Sequence, residues 1–94
     1  MKMYAVIFTR NDFSGVSRVI AMKKNLNDAV NAATDEVQSI IESTEEKYTI
    51  EEGIANGSIE YAESEELFDE DLLFSWYFTK HTMEVLIQEV EVEV

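Results

Sequence analysis

Hydrophobic positions along this chain change period several times, and each change marks an element. Met3 to Thr9 (Met-Tyr-Ala-Val-Ile-Phe-Thr) is dense in β-branched and aromatic residues. Such a run predicts a strand buried on both faces or nearly so. Arg10 to Gly15 is polar and contains glycine, which is turn chemistry. From Val16 to Lys24 the side chains alternate. Val16, Arg18, Ile20 and Met22 fall on one side, and Ser17, Val19, Ala21 and Lys23 on the other. Two strands joined through a short glycine-containing loop predict a hairpin. The period then lengthens. Val30, Ala33, Val37, Ile40 and Ile41 recur at three- and four-residue spacing, while Asp28, Asp35, Glu36 and Glu42 fall largely off that stripe. This predicts an amphipathic helix over about 27–43, capped by Asn25 or Asn27 and lying across the hairpin.

Ser43 or Thr44 ends that helix. Thr49-Ile50-Glu51-Glu52 fits a capping box, in which a threonine and a glutamate three positions later satisfy backbone donors reciprocally. A short helix is expected from Ile50 to Asn56, stopped at Gly57. Ser58 to Ala62 reads as a short strand or a loop. Ser64 before Glu65 and Glu66 starts a brief helix through about Glu70. Leu72 to Thr79 is a strand candidate rich in aromatics, Lys80-His81-Thr82 is a turn, and Met83 to Val94 is a final strand. In that strand Val90, Val92 and Val94 take one face and Glu89, Glu91 and Glu93 the other. The order β-β-α-(α)-β-β is that of a single α+β domain over 1–94. Its small antiparallel sheet carries one main helix on it.

Charge sharpens this picture. The net charge is −13, and it is unevenly spread. Residues 1–27 hold five bases and one acid, whereas 28–94 hold two bases and nineteen acids. Between Glu42 and Asp71 there are twelve carboxylates against one base, Lys47. Tyr48, Ile50, Ile54, Ile59, Tyr61, Leu67 and Phe68 punctuate the same stretch. Solvated acidic tails lack so many apolar anchors, so a folded acidic surface is expected. Direct nucleic-acid binding is disfavoured, because phosphates need a basic footprint.

Chemistry is sparse. There is no cysteine, hence no disulfide or thiolate metal site. The only histidine, His81, falls in the turn between two predicted strands, a poor place for a catalytic base. With twenty acids some pair always lies at glycosidase spacing, so that match carries no information. Gly15, Gly53 and Gly57 fit no nucleotide-binding loop. Asp69-Glu70-Asp71 is followed by Leu72, Leu73 and Phe74, where a calcium loop needs further ligands. No enzyme activity, cofactor or specific metal is expected. No signal-peptide pattern or membrane span is read, so a cytoplasmic location is expected.

The carboxylate array is the remaining feature. On a strand, positions i and i+2 lie about 6.6–6.8 Å apart. Four residues of helix rise about 6 Å. Rows at that grain suit a groove built from Lys and Arg to hold phosphates. The expected phosphate substitutes are Glu60, Glu63, Glu65, Glu66, Asp69, Glu70 and Asp71. Glu45, Glu46, Glu51 and Glu52 extend the row, and Glu89, Glu91 and Glu93 form a further one. The aromatic run Phe74, Trp76, Tyr77 and Phe78 belongs either to the core or to a dimer interface. The end of the final strand is either a further pairing candidate, if it lies at a sheet edge, or is kept from pairing by its glutamates.

Small size, absence of cysteine, the opening Met-Lys-Met-Tyr-Ala-Val-Ile-Phe-Thr and carboxylates massed after residue 41 resemble the DNA-mimic antirestriction proteins of phages. The Arn family of T-even phages is the most similar among them. The resemblance lies in length, acidity and element order rather than in a sharp motif. It implies an α/β homodimer, in the host cytoplasm, whose acidic faces imitate duplex DNA. It also implies a host restriction endonuclease of the modification-dependent McrBC type as partner. Anti-CRISPR proteins share the same acidic look. A module that docks through apolar residues such as Trp76 and Tyr77 is the other reading. The basic N-terminal segment departs from a uniformly acidic mimic.

Overall fold

The computed structural model describes residues 1–10, 15–67 and 71–93. Five strands and two helices follow one another as β1 (Lys2–Arg10), β2 (Ser17–Lys23), α1 (Leu26–Ser43), α2 (Ile50–Ala55), β3 (Ile59–Glu63), β4 (Leu72–Phe78) and β5 (Met83–Glu91). A single 3-10 turn, Ser64–Glu66, stands between β3 and β4. The strands form one antiparallel sheet in the order β2-β1-β5-β4-β3. The expected α+β class is therefore observed. The Ser58–Ala62 segment takes its strand alternative, which adds a fifth strand at the edge.

Local signals account for the helix ends. Asn25 caps α1, its side chain accepting from the Asn27 N–H at 2.8 Å. The capping box of α2 is complete: the Glu52 N–H donates to Thr49 Oγ1 and the Thr49 N–H donates to Glu52 Oε1, both at 3.1 Å. Gly57 follows α2 with φ +84, a left-handed geometry that glycine adopts without Cβ strain. The helix expected from Ser64 begins as the 3-10 turn. It stops at Glu66, since Leu67 is not helical; residues 68–70, most of the turn over Arg10–Gly15, and Val94 lie outside the described residues.

α1 lies on one face of the sheet, against β1, β2 and β5, while α2 packs on β3. The buried core joins Val6, Val85 and Ile87 of the central strands to Ala29, Ala33, Val37, Ile40 and Ile41 of α1. Ile59, Trp76 and Phe78 complete it. Trp76 is 4% exposed and Phe78 0%, so these two members of the aromatic run are core residues and not dimer contacts. The period-2 pleat puts them on the helix side, in one cluster with the buried residues of α1. Phase on that face also explains Phe74, which is half-buried beside Trp76 and Tyr61. Tyr77 points the other way, opposite Glu60 and Glu84.

A bulge corrects the expected faces of β2. Val6 pairs with Ala21 but Ile7 pairs with Val19, which leaves Ile20 as the extra residue. Inserting one residue shifts the alternation. Ile20 and Ala21 both pack against the core, and Val19 and Met22 share the far face with Ile7 and Ala5. No described helix covers that far face.

Candidate functional site

The outer side of the helical layer collects exposed carboxylates in a regular row. Asp28, Asp35 and Glu42 are all exposed on α1 and stand seven residues apart. Seven residues make almost two full turns, so the three share one stripe at intervals of about 10.5 Å. This row is possible because the buried stripe of α1 occupies the opposite side of the helix. Asp28 sits in the first turn, where the helix dipole favours an acid. Glu42 sits in the last turn, which has no base, and there the dipole disfavours it. The expected site residues did not include this row. Its signal was nonetheless present as polar positions at heptad spacing.

Beyond the end of α1 the acidic surface continues. Glu45 is exposed at φ +60 in the connection. Glu46 turns inward, and its Oε1 lies 3.1 Å from His81 Nε2 in the β4–β5 turn. Lys47 is exposed, the one base between Leu26 and Ala55. Glu51 and Glu52 are exposed in the first turn of α2. Glu52 serves the capping box as well as the surface. Neighbouring Tyr48 has its phenol pKa raised, first by burial and then by the Glu46 charge, with an opposing hydrogen bond to Ser58.

The other expected residues are dispersed. Glu60 is exposed on the far face of the sheet, paired with Tyr77 across the strands. Glu63 closes β3 and accepts a hydrogen bond from the Tyr61 hydroxyl at 3.0 Å. Glu65 is exposed in the 3-10 turn, and Glu66 is its last residue. Asp69 and Glu70 lie outside the described residues. Asp71 is exposed at the start of β4, its carbonyl accepting the Glu89 N–H at 2.8 Å.

The expected final strand stops at Glu91, so only Glu89 and Glu91 of the C-terminal row share a face of β5, and both are electrostatically committed. β1 lies antiparallel to β5 with Lys2 opposite Glu91. Lys2 Nζ is 2.9 Å from Glu89 Oε1, and the terminal amino group is 3.0 Å from Glu91 Oε1. The Lys2 pKa is raised, chiefly by the hydrogen bond and the charge of Glu89. The basic start of the chain thus neutralises Glu89 and Glu91, leaving Glu93 exposed beyond the strand. The sheet order brings these ends together, so sequence distance concealed the pairing.

A cleft of about 200 Å³ lies among Leu26, Glu63, Ser64, Leu73 and Phe74. Ligand pockets are commonly about 300–1,000 Å³. Among the described residues no three His, Cys, Asp or Glu side chains are grouped to hold a metal ion. No described helix is long and apolar enough to cross a membrane. Comparison of the chain with protein-family models, curated proteins and solved structures gave no match in any of the three.

Proposed function

We propose that this protein is a DNA mimic: an inhibitor whose carboxylates occupy the phosphate-binding groove of a basic DNA-binding protein. The carrying observation is the outer face of the helical layer. Asp28, Asp35 and Glu42 share one stripe of α1, Glu45, Glu51 and Glu52 are exposed further along the chain, and Lys47 is the one base between Leu26 and Ala55. The first three repeat at about 10.5 Å along a rigid helix. Three base-pair steps of duplex advance about 10.2 Å along the axis, an axial repeat close to that of the row, while the phosphates also wind around the duplex. Like charges held at fixed spacing cost folding free energy through self-repulsion. A groove of Lys and Arg relieves that cost on binding, and the complementary potentials speed encounter. Glu60, Glu63, Glu65 and Asp71 extend the negative potential around β3, and Glu93 does so at the chain end.

By resemblance to phage antirestriction proteins, the partner is a host restriction endonuclease of the McrBC type. An RNA-guided nuclease is the alternative target of the same surface. No catalytic step is assigned to the chain. Docking through Trp76 is not part of this reading, because that side chain cannot leave the core without unfolding it.

The test is a titration of the McrBC-type nuclease with the wild-type chain and with Asp28→Asn/Asp35→Asn/Glu42→Gln/Glu51→Gln, at several salt concentrations and with duplex DNA as competitor. Four exposed charges at roughly 0.5–1 kcal/mol each predict weakening of about 30- to 1,000-fold. The quadruple variant should also show a shallower salt dependence. Wild-type binding that ignores both salt and DNA would sink the reading, as would a folded quadruple variant that binds undiminished.

A further inference from the structure

β2 stands at one edge of the sheet. The strand order leaves its outer side without a strand partner among the described residues. The Arg10 N–H donates to the Val16 carbonyl at 2.8 Å, and this bond sets the phase of the β1–β2 ladder. Arg18, opposite Phe8, then also bonds toward β1, while Ser17 and Val19 turn their N–H and C=O groups outward. Outward backbone groups are a template on which an extended segment can add as a further strand.

Charge and exposure select the occupant. Neither β1 nor β2 contains a carboxylate, in a chain that has twenty. Three of the chain's seven bases, Arg18, Lys23 and Lys24, lie in β2 or directly after it. None of the three forms an ion pair with a described residue. Arg18 lies instead over the Phe8 ring, 5.6 Å from its centroid. Apolar exposure gathers at the same edge. Val16 is 44% exposed, Val19 55% and Met22 43%, and among the described residues only Met1 and Ile54 are other large hydrophobic side chains exposed to this degree.

These two characters lie on opposite faces. Val19 and Met22 share the bare face of the sheet, whereas Arg18 and Lys23 stand opposite Phe8 and Tyr4 on the helix side. A matching strand therefore alternates, with carboxylates toward the helix side and apolar side chains toward the bare face. The basic side chains and the bulge at Ile20 discourage a like edge from pairing here. The opposite edge strand, β3, carries Glu60 and Glu63 and packs against α2, so it offers an acidic segment no comparable surface.

We infer that the outer edge of β2 is a peptide-docking site. Its ligand is an extended segment of a partner protein in which acidic and apolar residues alternate, added to the sheet as a sixth strand. Docking there leaves the acidic helical layer open, so one molecule can hold two partners at once. This inference goes beyond the proposed function and does not depend on what the acidic layer binds.

Fluorescence anisotropy of a labelled, end-capped peptide, Glu-Ile-Glu-Ile-Glu, against the wild-type chain should show saturable binding at about 10–100 µM. Arg18→Glu/Lys23→Glu should weaken it about tenfold or more, with an unchanged circular dichroism spectrum. Val19→Pro keeps every charge and deletes one outward N–H, at a position where an edge strand accepts proline, and should weaken binding to a similar extent. The same peptide methylated at its backbone nitrogens should also lose about tenfold, because it cannot donate to the edge. Amide exchange at Ser17 and Val19 should slow when the peptide is bound. The acidic-layer variant Asp28→Asn/Asp35→Asn/Glu42→Gln/Glu51→Gln should bind the peptide undiminished, which separates this site from the nuclease-binding surface. Absence of binding up to about 1 mM peptide overturns the inference. A methylated peptide that binds as tightly as the parent also overturns it, by leaving charge alone as the cause. Binding that falls away as the chain is concentrated overturns it too, by putting a second copy on the edge.

Discussion

Gly53 shows how one side chain, or the lack of one, sets the path of the acidic connection. It is buried in α2, and a Cβ built there would stand 2.8 Å from Ile59 Cδ1 and 2.8 Å from the Tyr48 ring. Its absence lets α2 lie directly on the β3 edge, and that contact fixes where Glu51 and Glu52 point. Alanine at this position gains up to about 1 kcal/mol of helix propensity. Overpacking a buried contact costs about 1–3 kcal/mol, and Ile59 is 1% exposed with little room to move. Gly53→Ala is therefore expected to lower stability by about 1–2 kcal/mol, read as a lower urea midpoint at unchanged slope. Glu46 is a related case. It is expected among the phosphate substitutes, yet its carboxylate is turned toward His81. Sequence could place Glu46 in an acidic run but not against a turn thirty-five residues away.

α1 carries both the core and the exposed row, and the two demands conflict at its end. Its last turn contains Glu42 and no base. Removing a charge that opposes the dipole, or reversing it, stabilises a helix by roughly 0.3–1 kcal/mol. Glu42→Lys should raise the thermal midpoint and at the same time weaken binding to a basic partner. Parallel thermal melts and nuclease titrations check this. A variant that gains stability and keeps full affinity would remove Glu42 from the row. A stabilising change that costs function is a common sign of a residue retained for binding. In the sheet, the β2 bulge has the corresponding importance. It keeps Ile20 and Ala21 on the core while turning Met22 to the bare face. Strict alternation along Val16–Lys24 had put Ile20 and Met22 together, and the mispairing follows from one inserted residue.

The molecule is a two-layer slab with charge on its helical side and an apolar sheet on the other. Nineteen acids after residue 27 repel one another, and added salt screens that repulsion over about 8–10 Å at moderate ionic strength. Stability should therefore increase from low salt to about 0.5 M sodium chloride, with a Tm shift of several degrees. A domain held mainly by surface ion pairs would respond in the opposite direction. Two surface pairs, Lys2 with Glu89 and the terminal amine with Glu91, are exposed enough to be worth little.

Nearest-neighbour chemistry made much of this legible in the residues. The period of α1, the Thr49–Glu52 capping box, the Asn25 cap, Gly57 and the two-fold alternation of Glu89 and Glu91 act within a few residues. They need no tertiary context to operate, and neither does the net charge. The strand order was not legible, because antiparallel pairing of β1 with β5 joins residues more than seventy positions apart. That pairing decided that the basic start of the chain quenches Glu89 and Glu91. It also decided that Trp76 and Phe78 are covered while Ile7, Val19 and Leu86 are not. A strand has two faces of similar apolar character here. Only the packing of α1 and α2 on one of them chose which is core and which remains open.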